Sequence, residues 1–225
     1  MELNLIEKFL LIAHRQEKGR FYIDGFQLTY GLIGAVLLKM SLENRIEIDN
    51  QFLKITNDVG IQDEVMQEVV NIIKTSEKQR KIKSWVSRLE KKSRKYKWVY
   101  LNNLEQKRII RIENKKFLGL FPYKLTYQLD TLIREELISE LRSNVLNDKK
   151  IPVENISLLA LVQACQMHKI LSKDKKELKL IKKELKRIIK ENPIAETVDK
   201  TIREIQAAII ASIAASVTVT AAVSS

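Results

Sequence analysis

Ile205-Gln206-Ala207-Ala208-Ile209-Ile210-Ala211-Ser212-Ile213-Ala214-Ala215-Ser216-Val217-Thr218-Val219-Thr220-Ala221-Ala222-Val223-Ser224-Ser225 contains no charged residue, and its reading decides the fold. The run is about as long as a membrane-spanning helix. Its composition argues otherwise, because Ala, Ser, Thr and Val dominate and large apolar side chains are few. Small side chains let helices approach closely, and a helix without a polar face belongs at the centre of a helical core. The expectation is therefore a buried apolar C-terminal helix rather than a membrane span.

A partner for that helix is visible in the apolar run Leu28 to Met40, where Gly31 and Gly34 stand three residues apart and permit tight packing. Helical spacing also marks Leu5 to Ala13, which stops at Gln16-Glu17-Lys18-Gly19. It recurs from Val65 to Ile73, from Ile82 to Leu89 and around Trp98 to Leu104. Further helices are expected near Leu129 to Leu146, Ile156 to Leu171, Lys175 to Ile189 and Thr197 to Ala222, with Pro152 and Pro193 at boundaries. Ile46 to Asp49 and Phe52 to Ile55, joined by Asn50-Gln51 and closed by Asp58-Val59-Gly60, read as a small hairpin. Ile109 to Ile112 and Phe117 to Phe121, turning at Glu113-Asn114-Lys115, read as a second.

Across 225 residues, with 45% apolar and 30% charged, there are only six Gly and three Pro, and no Ser/Gly-rich linker. The expectation is a mostly α, single globular domain over residues 1–225 with two small hairpins. One cysteine, Cys165, excludes an internal disulfide and fits a reducing cytoplasm, and Met1 to Glu7 does not have the pattern of a secretory signal.

Charge is concentrated. Lys78 to Lys116 holds fifteen Lys or Arg against three Glu, a surplus equal to the net charge of +12 of the whole chain. Directly after this block comes Phe117-Leu118-Gly119-Leu120-Phe121-Pro122, a short apolar run that ends in a turn signal. Cations beside an apolar tip suit an anionic membrane surface, whose head groups attract the first and whose acyl boundary accepts the second. Lys173 to Lys190 is also basic, nine residues against three, but Leu178, Ile181, Leu185 and Ile188 make an inner stripe and its charges read as a solvated face.

Enzymatic signatures are missing from the sequence. His14 and His168 lie far apart, and Cys165 stands one helical turn before His168 on an apolar helix; a structural metal site needs four ligands, so core packing is expected for them. Gly31-Leu32-Ile33-Gly34 is too short for a dinucleotide fingerprint and follows no strand. No catalytic residue, metal or cofactor is expected, and the chain reads as a non-enzyme.

Taken in order, Glu17-Lys18-Gly19-Arg20, Gly31 through Ile46, Ser84-Trp85-Val86 and Leu104-Glu105-Gln106-Lys107-Arg108-Ile109-Ile110 with the hairpin to Phe121 resemble the Golgi phosphoprotein 3 family over nearly the whole chain. Eukaryotic members bind phosphatidylinositol 4-phosphate. The resemblance places the lipid-phosphate cations at Arg94 and Lys97, one helical turn apart, where two cations on one helix face can hold one phosphate. Lys91, Lys92, Lys95 and Arg108 are expected to support them. Where the eukaryotic pattern has an aromatic residue and a further Arg, this chain has Asp24 and Ile33, and Phe21 or Tyr22 replaces the aromatic only if the loop shifts. The family's apolar hairpin, which contacts membrane and in some members mediates self-association, corresponds to Phe117, Leu118, Leu120 and Phe121.

The resulting expectation is a cytoplasmic protein that associates peripherally with membranes by binding anionic, phosphoinositide-like lipids and inserting the tip, with homo-oligomerisation or a protein cargo as further partners. The rival is a nucleic-acid-binding module that uses the basic helix and a hairpin wing, a reading the apolar tip argues against. A third makes the tip a contact for another protein chain.

Overall fold

A computed structural model describes residues 2–15, 19–118, 120–147, 150–191 and 196–223. Helix α1 (Leu5–Ala13) begins at Asn4, whose side chain accepts the amides of Ile6 and Glu7 while Glu7 reaches back to Asn4. This closes a capping box. Helix α2 (Gly25–Leu42) starts the same way at Asp24 with Gln27, and it occupies the centre of the core.

A side chain at Gly34 would run into Ile209, and one at Gly31 into Phe9 and the Cys165 sulfur. These two glycines thus let α2 touch α1 on one side and helix α9 (Glu196–Val223) on another. Among the described residues α2 is the one helix long and apolar enough to cross a bilayer, yet twelve of its residues are buried in this packing.

Helix α9 enters the core along one face, through Ile202, Ile205, Ala208, Ile209 and Ile213. The structure corrects the expectation of a central helix buried on every side: α9 is exposed along its outer face at Ile210 and Val217, and α2 takes the central place. The Tyr30 hydroxyl donates to Glu90 at 3.1 Å and shares a hydrogen bond with Ser216 at 2.9 Å, which fastens the later turns of α9 to α2.

Strands β1 (Ile46–Asp49) and β2 (Phe52–Ile55) pair antiparallel in the expected register, with Asn50 and Gln51 at positive φ in the turn. Helices α3 (Glu64–Lys74), α4 (Ile82–Glu90) and α5 (Ser93–Gln106) follow. The second hairpin differs from the sequence reading. Strand β3 runs Ile110–Phe117 and β4 runs Phe121–Gln128, so Glu113 to Lys115 continues the strand. Arg111, Glu113 and Lys115 alternate onto one face of β3, and Glu113 pairs with both neighbours at 2.6 and 3.1 Å. The reversal falls at Leu118 to Leu120 instead, with Leu118 at positive φ.

Helices α6 (Leu132–Leu146), α7 (Val153–Ala164) and α8 (Lys175–Glu191) complete the bundle. The helix expected to reach Leu171 stops at Ala164, since Gln166 takes positive φ and His168–Ile170 forms a separate 3-10 turn. Cys165 and His168 therefore do not share a helix. The Cys165 thiol donates to the Gln27 carbonyl at 3.4 Å, and burial pushes its pKa up, which makes it a packing residue. The described residues contain no cluster of three metal-ligating side chains. Pro193, Gly119 and Gln16 to Lys18 fall outside the described residues.

Candidate functional site

The rotation of α5 is fixed by Tyr96, Tyr100, Leu101 and Leu104, all buried, and by the Tyr100 hydroxyl donating to the Asp63 carboxylate at 2.9 Å. This rotation leaves Arg94 exposed and Lys97 and Trp98 half-buried on one flank. The Lys97 ammonium lies 5.3 Å from the centre of the Trp98 ring and 6.0 Å from that of Phe21. Burial first, and then the charge of Arg94, lower the Lys97 pKa. Among the described residues no carboxylate acts on it in the other direction. Among the described residues this lysine makes no ion pair, and an anion entering beside it would recover the lost solvation.

The second hairpin completes this flank. Glu105 near the end of α5 accepts the Ile112 amide at 2.7 Å, so β3 leaves the helix and doubles back along it. On the return strand, Lys124 comes to lie 5.0 Å from the centre of the same Trp98 ring. Leu125 and Thr126, next along β4, line a cleft of about 380 Å³ together with Phe21, Lys97 and Leu101.

The third wall is the loop before α2. Gly19 sits at φ +60°, and a β-carbon there would press on the Leu125 side chain at 3.1 Å and the Thr126 carbonyl at 3.3 Å. Glycine is needed for both reasons. Beneath the hairpin, the His14 ring nitrogen Nε2 is 2.7 Å from the Thr126 hydroxyl, and its ring meets Phe21 edge to face at 5.4 Å. Burial is the largest influence on His14 and lowers its pKa.

The residues singled out from sequence separate into three places. Arg94 and Lys97 lie one turn apart on α5: Lys97 lines the cleft, whereas Arg94 is exposed beside it, near enough for its charge to act on Lys97 but outside the lining. Lys92 and Lys95 face the opposite flank, where Glu68 of α3 pairs with both, at 3.4 and 2.6 Å, and Lys91 is exposed at the end of α4. Arg108 lies beyond the far end of α5, fourteen residues from Arg94 and therefore about 20 Å along the axis. Lys107 beside it is spent on a buried partner, Glu7, at 2.6 Å.

Of the two departures from the eukaryotic pattern, Asp24 lines the cleft, but its carboxylate accepts the Gln27 amide at 2.8 Å as a helix cap. Ile33 is fully buried in the core and is not part of the cleft's lining. Phe21 does reach the cleft, whereas the Tyr22 ring is covered by the guanidinium groups of Arg15 and Arg134.

At the tip, Phe117, Leu118, Leu120 and Phe121 are 61, 75, 76 and 63% exposed. Phe117 pairs with Phe121, and Lys124 lies three residues, or about 10 Å of strand, from the latter. The tip thus projects from the end of the hairpin that is anchored to Trp98 by Lys124. Sequence reasoning missed Lys124 and the wall formed by Trp98, because only the fold-back of the hairpin brings them to Lys97.

A comparison with curated proteins finds no match for this chain. The sequence model described as Golgi phosphoprotein 3 (GPP34) matches residues 5–205, from the first residue of α1 through both hairpins and the cleft into α9. The chain belongs to the Golgi phosphoprotein 3 family.

Proposed function

We propose that this protein is a non-enzymatic peripheral membrane protein, which holds an anionic lipid phosphate at Arg94 and Lys97 and inserts Phe117, Leu118, Leu120 and Phe121 into the acyl boundary. The observation that carries this reading is the pairing of an exposed apolar tip with a cleft in which Lys97 and Lys124 make no ion pair among the described residues, on one hairpin and the helix it folds against. Neither half holds a membrane firmly alone. A basic side chain near an anionic surface contributes about 1 kcal/mol, and a large apolar side chain contributes less at an interface than its ~1.5 to 3 kcal/mol for full burial. Together they give reversible binding whose Coulomb part is screened by salt. Lys91, Lys92 and Lys95 add to the field around the cleft, and Lys92 and Lys95 do so less for being paired with Glu68.

Vesicle flotation tests the reading, with phosphatidylcholine alone against phosphatidylcholine containing phosphatidylserine or phosphatidylinositol 4-phosphate, at two salt concentrations. Binding should require the anionic lipid and weaken with salt. Equal binding to neutral vesicles, or a preference for duplex DNA over every vesicle in a parallel gel shift, refutes it.

A further inference from the structure

Two lysines from different elements meet at one indole. Lys97 comes from α5 and Lys124 from β4, with their ammonium groups 5.3 and 5.0 Å from the Trp98 ring centre; this bounds their separation at roughly 10 Å, and rotation of the two side chains must close it to about 7 Å for one phosphate to touch both. Both line the same cleft. Among the described residues that line it the one carboxylate is Asp24, which accepts the Gln27 amide as a helix cap. A ring face attracts a cation but does not neutralise it, and two long, rotatable lysines beside one opening converge on whatever anion enters.

We propose that a single phosphate group bridges Lys97 and Lys124 over Trp98, so that capture of the head group fastens the hairpin to α5 and sets the apolar tip in place. The ligand chemistry is a tetrahedral phosphate, from a lipid head group or from a free phosphate ester. The inference deepens the membrane-binding reading and rests on it for the lipid source alone. It makes Lys124 a binding residue and the hairpin a part of the phosphate site rather than a separate anchor.

Trp98 reports on this directly, because Trp85, the second tryptophan, is fully buried. Tryptophan emission is followed while glycerol 3-phosphate is added to the full-length protein, and separately while vesicles of phosphatidylcholine with phosphatidic acid are added. Variants are Lys97→Met, Lys124→Met, the double variant, and Lys116→Met as a hairpin control of equal charge. Each bridging variant should weaken binding about fivefold or more, with the double variant little weaker than either single one. Lys116→Met should change it less. Amide exchange across β3 and β4 should slow on addition of glycerol 3-phosphate.

The bridge is overturned if Lys124→Met binds like the parent or only as weakly as Lys116→Met, or if the two losses multiply as independent surface charges do. If glycerol 3-phosphate binds through both lysines while vesicles do not, the bridge stands and the membrane reading falls. If vesicles bind with no dependence on Lys124, the reverse holds. Silence from both probes removes both.

Discussion

Helix α8 and the α5–hairpin unit are both rich in lysine, and they use it in opposite ways. In α8, Ile181, Leu185 and Ile188 bury one stripe, the lysines spread over the remaining surface, and Glu177 and Glu184 pair with Arg142 and Arg187. That is how a soluble helix keeps its outer face wet. In the α5–hairpin unit Lys92, Lys95, Lys107, Arg111 and Lys115 also pair with carboxylates, but Lys97 and Lys124 converge on a cleft beside an aromatic ring, and the apolar residues of the tip point outward instead of in. Total charge thus says little, and convergence around an unpaired opening is the feature that separates a binding surface from a solvated one.

The largest effect should come from the tip. Replacing Phe117, Leu118, Leu120 and Phe121 together by Ser should lower affinity for anionic vesicles by on the order of a hundredfold or more, if each side chain supplies about 1 kcal/mol at the interface. The melting temperature should hardly move, since these side chains are exposed already. Leu180→Ser, at an exposed apolar position on α8, should leave vesicle binding unchanged. An equal loss from Leu180→Ser would erase the distinction between the two regions.

Next comes the matched charge test. Arg94→Ala with Lys97→Ala should weaken vesicle binding roughly 30-fold, from about 1 kcal/mol per cation. Lys179→Ala with Lys183→Ala removes the same charge from α8 and should cost less than about threefold, through the long-range field alone. Flotation or surface plasmon resonance at low salt reads both. Equal losses would mean that net charge, rather than convergence, drives binding.

Each basic region also has a histidine beside it, and the two should differ in titration. His14 is enclosed under the hairpin by Thr126, Gln128 and Phe21, with Arg134 nearby, and burial lowers its pKa. His168, before α8, is lowered by burial and by Lys182 but is only half-buried. A histidine harder to protonate when folded adds stability above its unfolded pKa near 6.5, and that stability is lost as pH falls from there toward the folded value. Thermal melts should therefore decline from pH 7.5 to 5.5. His14→Gln should flatten the decline more than His168→Gln does, and the opposite ranking would show that the hairpin base is not the tighter site.

Most helices and the first hairpin were legible because their periodicity is local. The second hairpin was misread where Glu113-Asn114-Lys115 imitates a turn, since the ion pairs that hold those residues in a strand become visible only once the pleat is known. The candidate site was legible to the extent that it lies on one helix, as Arg94 and Lys97 do. Arg108 shares the charged block with them in sequence, but it lies past the end of α5, away from the cleft. Lys124 belongs to the cleft by tertiary contact, which sequence spacing does not encode.

The smallest effect expected is also the sharpest test of convergence. Lys95 is the immediate neighbour of Arg94, and by charge alone the two are equivalent. A step of one residue on a helix turns the side chain about 100°, and here it delivers Lys95 to Glu68 on the other flank, where hydrogen bonding to that carboxylate raises the lysine pKa. An ammonium already paired offers a membrane little net charge. Lys95→Ala should therefore weaken vesicle binding by less than about twofold, against about fivefold for Arg94→Ala. Glu68→Gln should strengthen binding slightly, because it releases both Lys92 and Lys95 from their shared partner. If Lys95→Ala proves as damaging as Arg94→Ala, the lipid phosphate is held across the start of α5 rather than in the cleft, and Trp98 and Lys124 lose their part in it.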